Sequence, residues 1–210
     1  MPKADLRSDH PGLYAPPKGT PKGAAWLVDV PPLNYIMLDG AGHPETSEQF
    51  QHAMGVLYGM SYTIKMSMKK DDPAVDWVVA PLEGLWWWPG AETFGLSGEG
   101  ELQWTVMIRQ PDFVTPEVFE RYRAVLKARK DPPGLDEARL ETLNEGLCAQ
   151  VLHLGPYSEE APTIERLHQF IAGEGYVHAG KHHEIYLSDP RRCAPETIRT
   201  ILRQPVRRPV

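Results

Sequence analysis

The chain of 210 residues, 41% hydrophobic and 24% charged, has the composition of a soluble globular protein with material for one sizeable core. A formal net charge of −6 argues against a polyanion as main partner, and so against direct nucleic-acid binding, which leans on Lys and Arg neutralising phosphates. No apolar run reaches the ~18 residues that span a bilayer, and the start, Met1-Pro2-Lys3-Ala4-Asp5-Leu6-Arg7, lacks the apolar stretch of a signal peptide, so a cytoplasmic protein without membrane contact is expected.

Residues 1–23 are rich in Pro, Gly and Lys, and Pro11, Pro16, Pro17 and Pro21 predict an extended strap and no helix, with Tyr14 as its one large anchor. The folded domain is expected over 24–210. Short strands at 24–30 and 34–39 flank Pro31-Pro32 and end at the turn cluster Gly40-Ala41-Gly42-His43-Pro44. Thr46-Ser47-Glu48-Gln49 has capping-box form, and Phe50, Met54 and Leu57 follow at helical spacing, which predicts a helix over 47–60. A long strand over 75–87, bulged at Pro81, has its hairpin partner at 102–108. Thr115-Pro116-Glu117 opens a helix that runs to about Arg129.

After Asp131-Pro132-Pro133-Gly134 the pattern restarts, with strands at 138–144 and 147–154, a helix over 159–172, a strand at 183–187 and a short helix opened by Pro195. Arg203, Arg207 and Arg208 read as a short basic tail. Cys148 and Cys193 form no CxxC pair, so free thiols are expected in place of a metal knuckle or a disulfide framework.

The stretch Pro81-Leu82-Glu83-Gly84-Leu85-Trp86-Trp87-Trp88 stands out. Strand alternation puts Glu83, Leu85 and Trp87 on one face and Leu82, Trp86 and Trp88 on the other. A carboxylate beside an indole is penalised by desolvation unless a donor or cation compensates, and such carboxyls gather at functional sites. The plainer reading is a core strand with Glu83 curling to its edge.

The halves 24–130 and 135–210 share an order: strand, strand, Gly turn, amphipathic helix, then a strand with one glutamate. Leu82-Glu83-Gly84-Leu85 lines up with His183-Glu184-Ile185-Tyr186. The fold class predicted is α+β: duplicated strand-helix-strand-strand modules that form an antiparallel sheet with pseudo-twofold symmetry and a central ligand cleft. Glu83 and Glu184 are expected to face each other across that cleft. Trp87 and Trp104 are placed to stack on a flat guest, and Leu85, Tyr58, His183 and Met107 to line the site.

Four blocks carry a resemblance: Pro81 to Trp87, Met107-Ile108-Arg109-Gln110-Pro111-Asp112-Phe113, Gly146 to Tyr157, and His182-His183-Glu184-Ile185-Tyr186-Leu187-Ser188-Asp189-Pro190. Together, over roughly residues 24–205, they resemble the stand-alone branch of the GyrI-like small-molecule-binding domains. That resemblance implies the same duplicated fold around a cleft. It also implies a detoxifying hydrolase, since members of the branch hydrolyse the cyclopropane of DNA-alkylating natural products of the yatakemycin type. Gyrase-inhibitory proteins and the drug-sensing domains of transcription activators are relatives, but no helix-turn-helix with a basic recognition helix is evident here.

Opening a conjugated spirocyclopropane needs water, a base to aim it and a donor to the developing phenolate. Glu184 is the first choice for the base, with Glu83 orienting water or substrate and Tyr157 and Tyr186 as donors. No nucleophilic triad is legible around Ser61, Ser97, Ser158 or Cys148, so direct attack by water is expected. His182-His183 beside Glu184 lacks zinc-ligand spacing, and neither metal nor cofactor is called for. The partner expected is a small aromatic or electrophilic ligand. The alternatives are a protein that sequesters or senses drugs without turnover, and one that modulates gyrase.

Overall fold

The computed structural model describes residues 4–209. Its strands are β1 (Ala4–Asp5), β2 (Trp26–Val30), β3 (Leu33–Ala41), β4 (Trp77–Val78), β5 (Leu82–Trp87), β6 (Gln103–Arg109), β7 (Arg139–Leu143), β8 (Gly146–Leu154), β9 (Val177–His178), β10 (His182–Tyr186) and β11 (Arg199–Arg207). The helices are α1 (Leu6–Asp9), α2 (Glu48–Asp71), α3 (Pro116–Arg129) and α4 (Ala161–Gly173).

One curled, wholly antiparallel sheet runs in the order β2-β8-β11-β10-β5-β6-β3-β7, with β9 on the far part of β11. Read outward from the middle, β5 faces β10, then β6 matches β11 and β3 matches β8. This is the pseudo-twofold α+β arrangement expected of duplicated modules. The outermost strands are exchanged: β2 leaves β3 at Pro31-Pro32 and pairs with β8, while β7 leaves β8 at Glu145-Gly146 and pairs with β3. Proline offers no N–H to a ladder, and Gly146 takes φ 64°, so both bends fall where the ladder is easiest to break.

α2 begins where Ser47 Oγ accepts the Phe50 N–H at 3.2 Å, and it runs well beyond the expected 47–60. Val56, Leu57, Met60 and Ile64 sustain the buried stripe, and Asp72 ends the helix just before Pro73. A Cβ at Gly59 would lie 3.3 Å from Leu126, so the missing side chain lets α3 pack closely on α2. Thr115 caps α3 through the Val118 N–H.

Three further expectations are corrected. The strap is not fully extended: Leu6–Asp9, free of proline, makes one helical turn capped by Asp5, and a 3-10 turn follows at Pro11–Leu13. The long strand over 75–87 is two strands, broken before Pro81, and β4 pairs with β1 in parallel. The supposed basic tail is the inner strand β11, and Arg203 on it is 1% exposed.

α2 packs on α3 and, on the sheet, on β3 and β6, and α4 packs on β8 and β11. The two middle strands, β5 and β10, therefore form the floor of a groove between α2 and α4. On the opposite side of the sheet the strap lies over a second apolar cluster that includes Leu13, Tyr14, Trp26, Tyr35, Met37, Met107 and Ile201. We call the two sides the helix face and the strap face. Among the described residues, no helix is long and apolar enough to cross a membrane.

Candidate active site

Glu184 pairs with Gly84, His182 with Trp86, and Ile185 with Glu83. Because alternate residues point to opposite sides, Leu82, Gly84, Trp86, His182, Glu184 and Tyr186 belong to the helix face, and Glu83, Leu85, Trp87, His183 and Ile185 to the strap face. The two glutamates expected to face each other are thus separated by the sheet. The pseudo-twofold equates Gly84, and not Glu83, with Glu184, and a slip of one residue in a strand moves every side chain to the other face.

The groove floor holds a connected polar set. Tyr186 donates its hydroxyl hydrogen to Glu184 Oε2 at 2.7 Å, and its oxygen accepts the indole N–H of Trp86 at 3.0 Å. Gly84 makes this possible, since a Cβ there would stand 2.8 Å from Trp86 Nε1 and push the indole away. His182 Nε2 lies 3.5 Å from Glu184 Oε1, with its ring stacked on Phe94.

Glu160, at the entrance to α4, is 1% exposed and has its Oε1 buried without a partner. Burial, reinforced by the Glu184 charge, pushes the Glu160 carboxyl up to about 10, so it holds its proton at neutral pH. The same two causes hold Tyr186 well above the ordinary phenol range. Tyr157, raised to about 12 chiefly by burial and then by Glu160 and Glu184, meets Tyr186 edge-on at 5.5 Å. Tyr58, 37% exposed, projects from α2 and is raised by burial and by Tyr62, then by Asp189. Asp189, in the turn after β10, also raises Tyr157 as the last of its causes.

Around Glu83 and His183 the strap face is sealed. Glu83, with no exposed surface, accepts from the Tyr35 hydroxyl at 3.2 Å and lies 3.0 Å from His183 Nε2. His183 Nδ1 is 2.9 Å from Glu145, which is in turn 2.8 Å from Arg203. Arg203 also reaches Gln150 Oε1 and the carbonyl oxygen of Leu13 in the strap, while Arg109 holds that of Leu6. Burial pulls the His183 imidazole down, but its flanking carboxylates outweigh that and leave it raised. Burial likewise raises Glu145, yet His183 and Arg203 bring it down to about 2. Two anions and two cations compensate one another in a dry interior. This is a structural ion cluster, so neither Glu83 nor His183 reaches the groove.

Leu85 and Met107 pack beside that cluster. Trp104 is fully buried on the helix face beneath Phe50, and Trp87 stands at an open end of the strap face under Lys181. Of the residues singled out from sequence, Glu184, Tyr186 and Tyr157 come together; Tyr58 stacks on Tyr62 along α2, and Glu83, His183, Leu85, Met107, Trp87 and Trp104 do not join the three. Among the described residues, no group of three or more His, Cys, Asp or Glu side chains is arranged to hold a metal.

The model of the GyrI-like small molecule binding domain matches residues 27–207. The chain belongs to the GyrI-like family. Its solved relatives include an uncharacterised conserved protein from Listeria innocua, 42% identical, with 98% of this chain and 100% of that one covered at a TM-score of 0.87. A protein described as a hydrolase, also from Listeria innocua, is 40% identical over 98% of this chain and 100% of its own, at a TM-score of 0.83. The C-terminal domain of EcmrR shares the fold alone, at 11% identity and a TM-score of 0.52, with 88% and 98% covered. Among curated proteins no match is found.

Within this GyrI-like groove, Glu160 is the residue that sequence reasoning passed over. An acid just ahead of a helix ordinarily reads as a solvated charge favourable to the helix dipole. Glu160 follows the turn at Tyr157–Glu159 and is buried there, which only the tertiary fold reveals.

Proposed function

We propose that this protein is a cofactor-free hydrolase of flat electrophilic xenobiotics, cyclopropane-bearing DNA alkylators among them, and that Glu184, Tyr186 and Glu160 carry the chemistry. The observation behind this reading is the Tyr186 hydroxyl seated on Glu184, beside a carboxyl that keeps its proton, on the middle of the sheet between α2 and α4. Carboxyls driven apart in pKa can divide base and acid roles. The likeness to a Listeria innocua protein described as a hydrolase lends further support.

In the proposed reaction, water attacks the exposed CH₂ of the cyclopropane. A carbon–oxygen bond forms, the strained carbon–carbon bond breaks, and its electron pair passes through the conjugated ring to the carbonyl oxygen. Glu184 takes the proton that water loses. Glu160 or Tyr157 gives a proton to the developing phenolate. Tyr186 fixes Glu184 and relays the proton that restores the starting state. Tyr157 and Tyr58, both partly exposed, supply aromatic surface for a planar guest. Glu83, assigned a place beside the water from sequence, has no part in this scheme because the sheet lies between.

The test is incubation of the purified protein with a cyclopropane-bearing alkylator, following the ring-opened hydrate by chromatography. Turnover is expected for the wild type and loss of it for Glu184→Gln. Tryptophan quenching at one equivalent with no hydrate formed would instead establish a protein that binds and sequesters.

A further inference from the structure

The strap face has a feature that neither the ion cluster nor the groove uses. A hollow of about 480 Å³ opens at its uncovered end, lined by Asp39, Gly40, Ala41, Gln49, Trp87, Gln103, Thr105, Arg139 and Lys181. We propose that this hollow is a second ligand site, separate from the groove, that takes a small aromatic carboxylate: the carboxylate on Lys181 and the ring against Trp87.

The sign of the ligand follows from which charges are already matched. Asp39 is fully engaged: Arg139 bonds both its oxygens, at 2.9 and 3.0 Å, and the Thr105 hydroxyl adds a third bond at 2.6 Å. Arg139 is itself shared with Glu141 at 2.7 Å. No carboxylate lining the hollow is therefore left to hold a guest cation. Lys181 is the opposite case: Asp39 and Glu141 act on it only at a distance, no salt bridge holds it among the described residues, and its ammonium rests 3.3 Å above the Trp87 ring. A cation over an indole face gains far less than one bound to a carboxylate, and partial burial already lowers the Lys181 pKa. An incoming anion supplies the missing partner.

The shape and remaining polarity fit a flat acid. Ligand sites of about 300–1,000 Å³ are typical of small-molecule pockets, so a bicyclic guest can be held. Trp87 gives the apolar wall, and Gly40-Ala41 opposite adds almost no bulk. Gln49 uses its side-chain carbonyl on the Ala41 N–H, which leaves its NH₂ for a polar substituent. Lys181 follows Gly180, at φ 63°, on the turn before β10, and its flexible stem can turn the ammonium from the indole to an anion.

The experiment is calorimetric titration of the full-length protein with 2-naphthoate and with its neutral isostere 2-naphthamide. Saturable one-to-one binding of naphthoate is expected, at least tenfold tighter than naphthamide. Lys181→Gln should remove that preference, Lys181→Arg should retain most of it, and Trp87→Leu should weaken both probes. Glu184→Gln, altered only in the groove, should bind naphthoate as the wild type does. Thermal melts of the surface variant Lys181→Gln verify folding. Equal affinity for the two probes, undiminished naphthoate binding by Lys181→Gln, loss of binding in Glu184→Gln, or no binding at millimolar naphthoate would each overturn the assignment. None of these results bears on turnover in the groove.

Discussion

Glu83 and Glu184 stand one rung apart on the β5–β10 ladder, Glu83 opposite Ile185 and Glu184 opposite Gly84, and they point to opposite sides of the sheet. One is locked to His183 and Tyr35 with no exposed surface; the other shares a groove floor with two tyrosines and an indole. Their environments assign them different work.

Substitution should separate the two roles. Glu83→Gln leaves His183 with one fewer anion in a dry interior and is expected to cost about 1–3 kcal/mol of stability, read by urea denaturation. Hydrate formation per folded molecule should stay within about twofold of the wild type, because no atom of Glu83 reaches the helix face. If Glu83→Gln folds normally but loses turnover, the division between faces is wrong.

Tyr186→Phe deletes the donor to Glu184 Oε2 and the acceptor for Trp86 Nε1 while keeping the ring. Removal of one preorganised donor from a reacting centre costs on the order of 100–1,000-fold in rate. A drop in kcat of that order is expected, with far-ultraviolet circular dichroism unchanged. A kcat equal to the wild type's would take Tyr186 out of the mechanism.

Much of this architecture is legible in the sequence because its signals are local. Thr115 and the Pro31-Pro32 bend announce element ends by their own chemistry, and the repeat of helix and strand order reveals the duplication; the capping box expected from Thr46 and Gln49 gives way to a cap by Ser47, while Gln49 accepts the Ala41 N–H. What escaped depends on register and on distant partners. Matching Glu83 to Glu184 by identity shifts the true equivalence by one residue, enough to place both acids on one side of a sheet that divides them. β11 was obscured by Pro205 and its arginines. Pro205 is tolerated because it falls beyond the last β10 pairing, with its carbonyl taking the Ala179 N–H, and Arg203 because Glu145, 58 positions earlier, neutralises it. Glu160 goes unmarked for the same reason: nothing nearby in sequence shows what covers it.

Acid should dismantle the strap-face cluster. Glu145, held down to about 2, contributes stability that is fully present above its ordinary value of 4.5 and is lost as pH falls through that window. His183, with its pKa raised, contributes below its ordinary value of 6.5 and ceases to contribute as pH rises through its folded value. The two describe one coupled interaction and are not to be added. In Glu145→Gln the decline in stability between pH 4.5 and 2, read from melting curves, should be shallower than in the wild type, from a starting point lower by about 3–5 kcal/mol. Parallel melting curves for the two proteins across that range would show that the cluster does not govern acid unfolding.

Glu160 has the reverse sign. In the folded protein its proton is retained up to about 10, whereas in the unfolded chain it is released near 4.5. Between those values the native state binds more protons than the unfolded one, so this group makes stability fall as pH rises. Glu160→Gln keeps the shape and the neutral character but removes the titration. It is therefore expected to melt above the wild type at pH 8 by an amount equivalent to about 1–3 kcal/mol, and to match it near pH 4, where both side chains are neutral. If Glu160 also supplies the proton to the leaving phenolate, the same variant should lose turnover at every pH while gaining stability at pH 8. A variant that is more stable yet fully active would leave Glu160 as a cost of the fold, with Tyr157 as the donor. One that is less stable at pH 8 would mean that the carboxyl is ionised and paired in the folded protein, which the groove geometry does not provide.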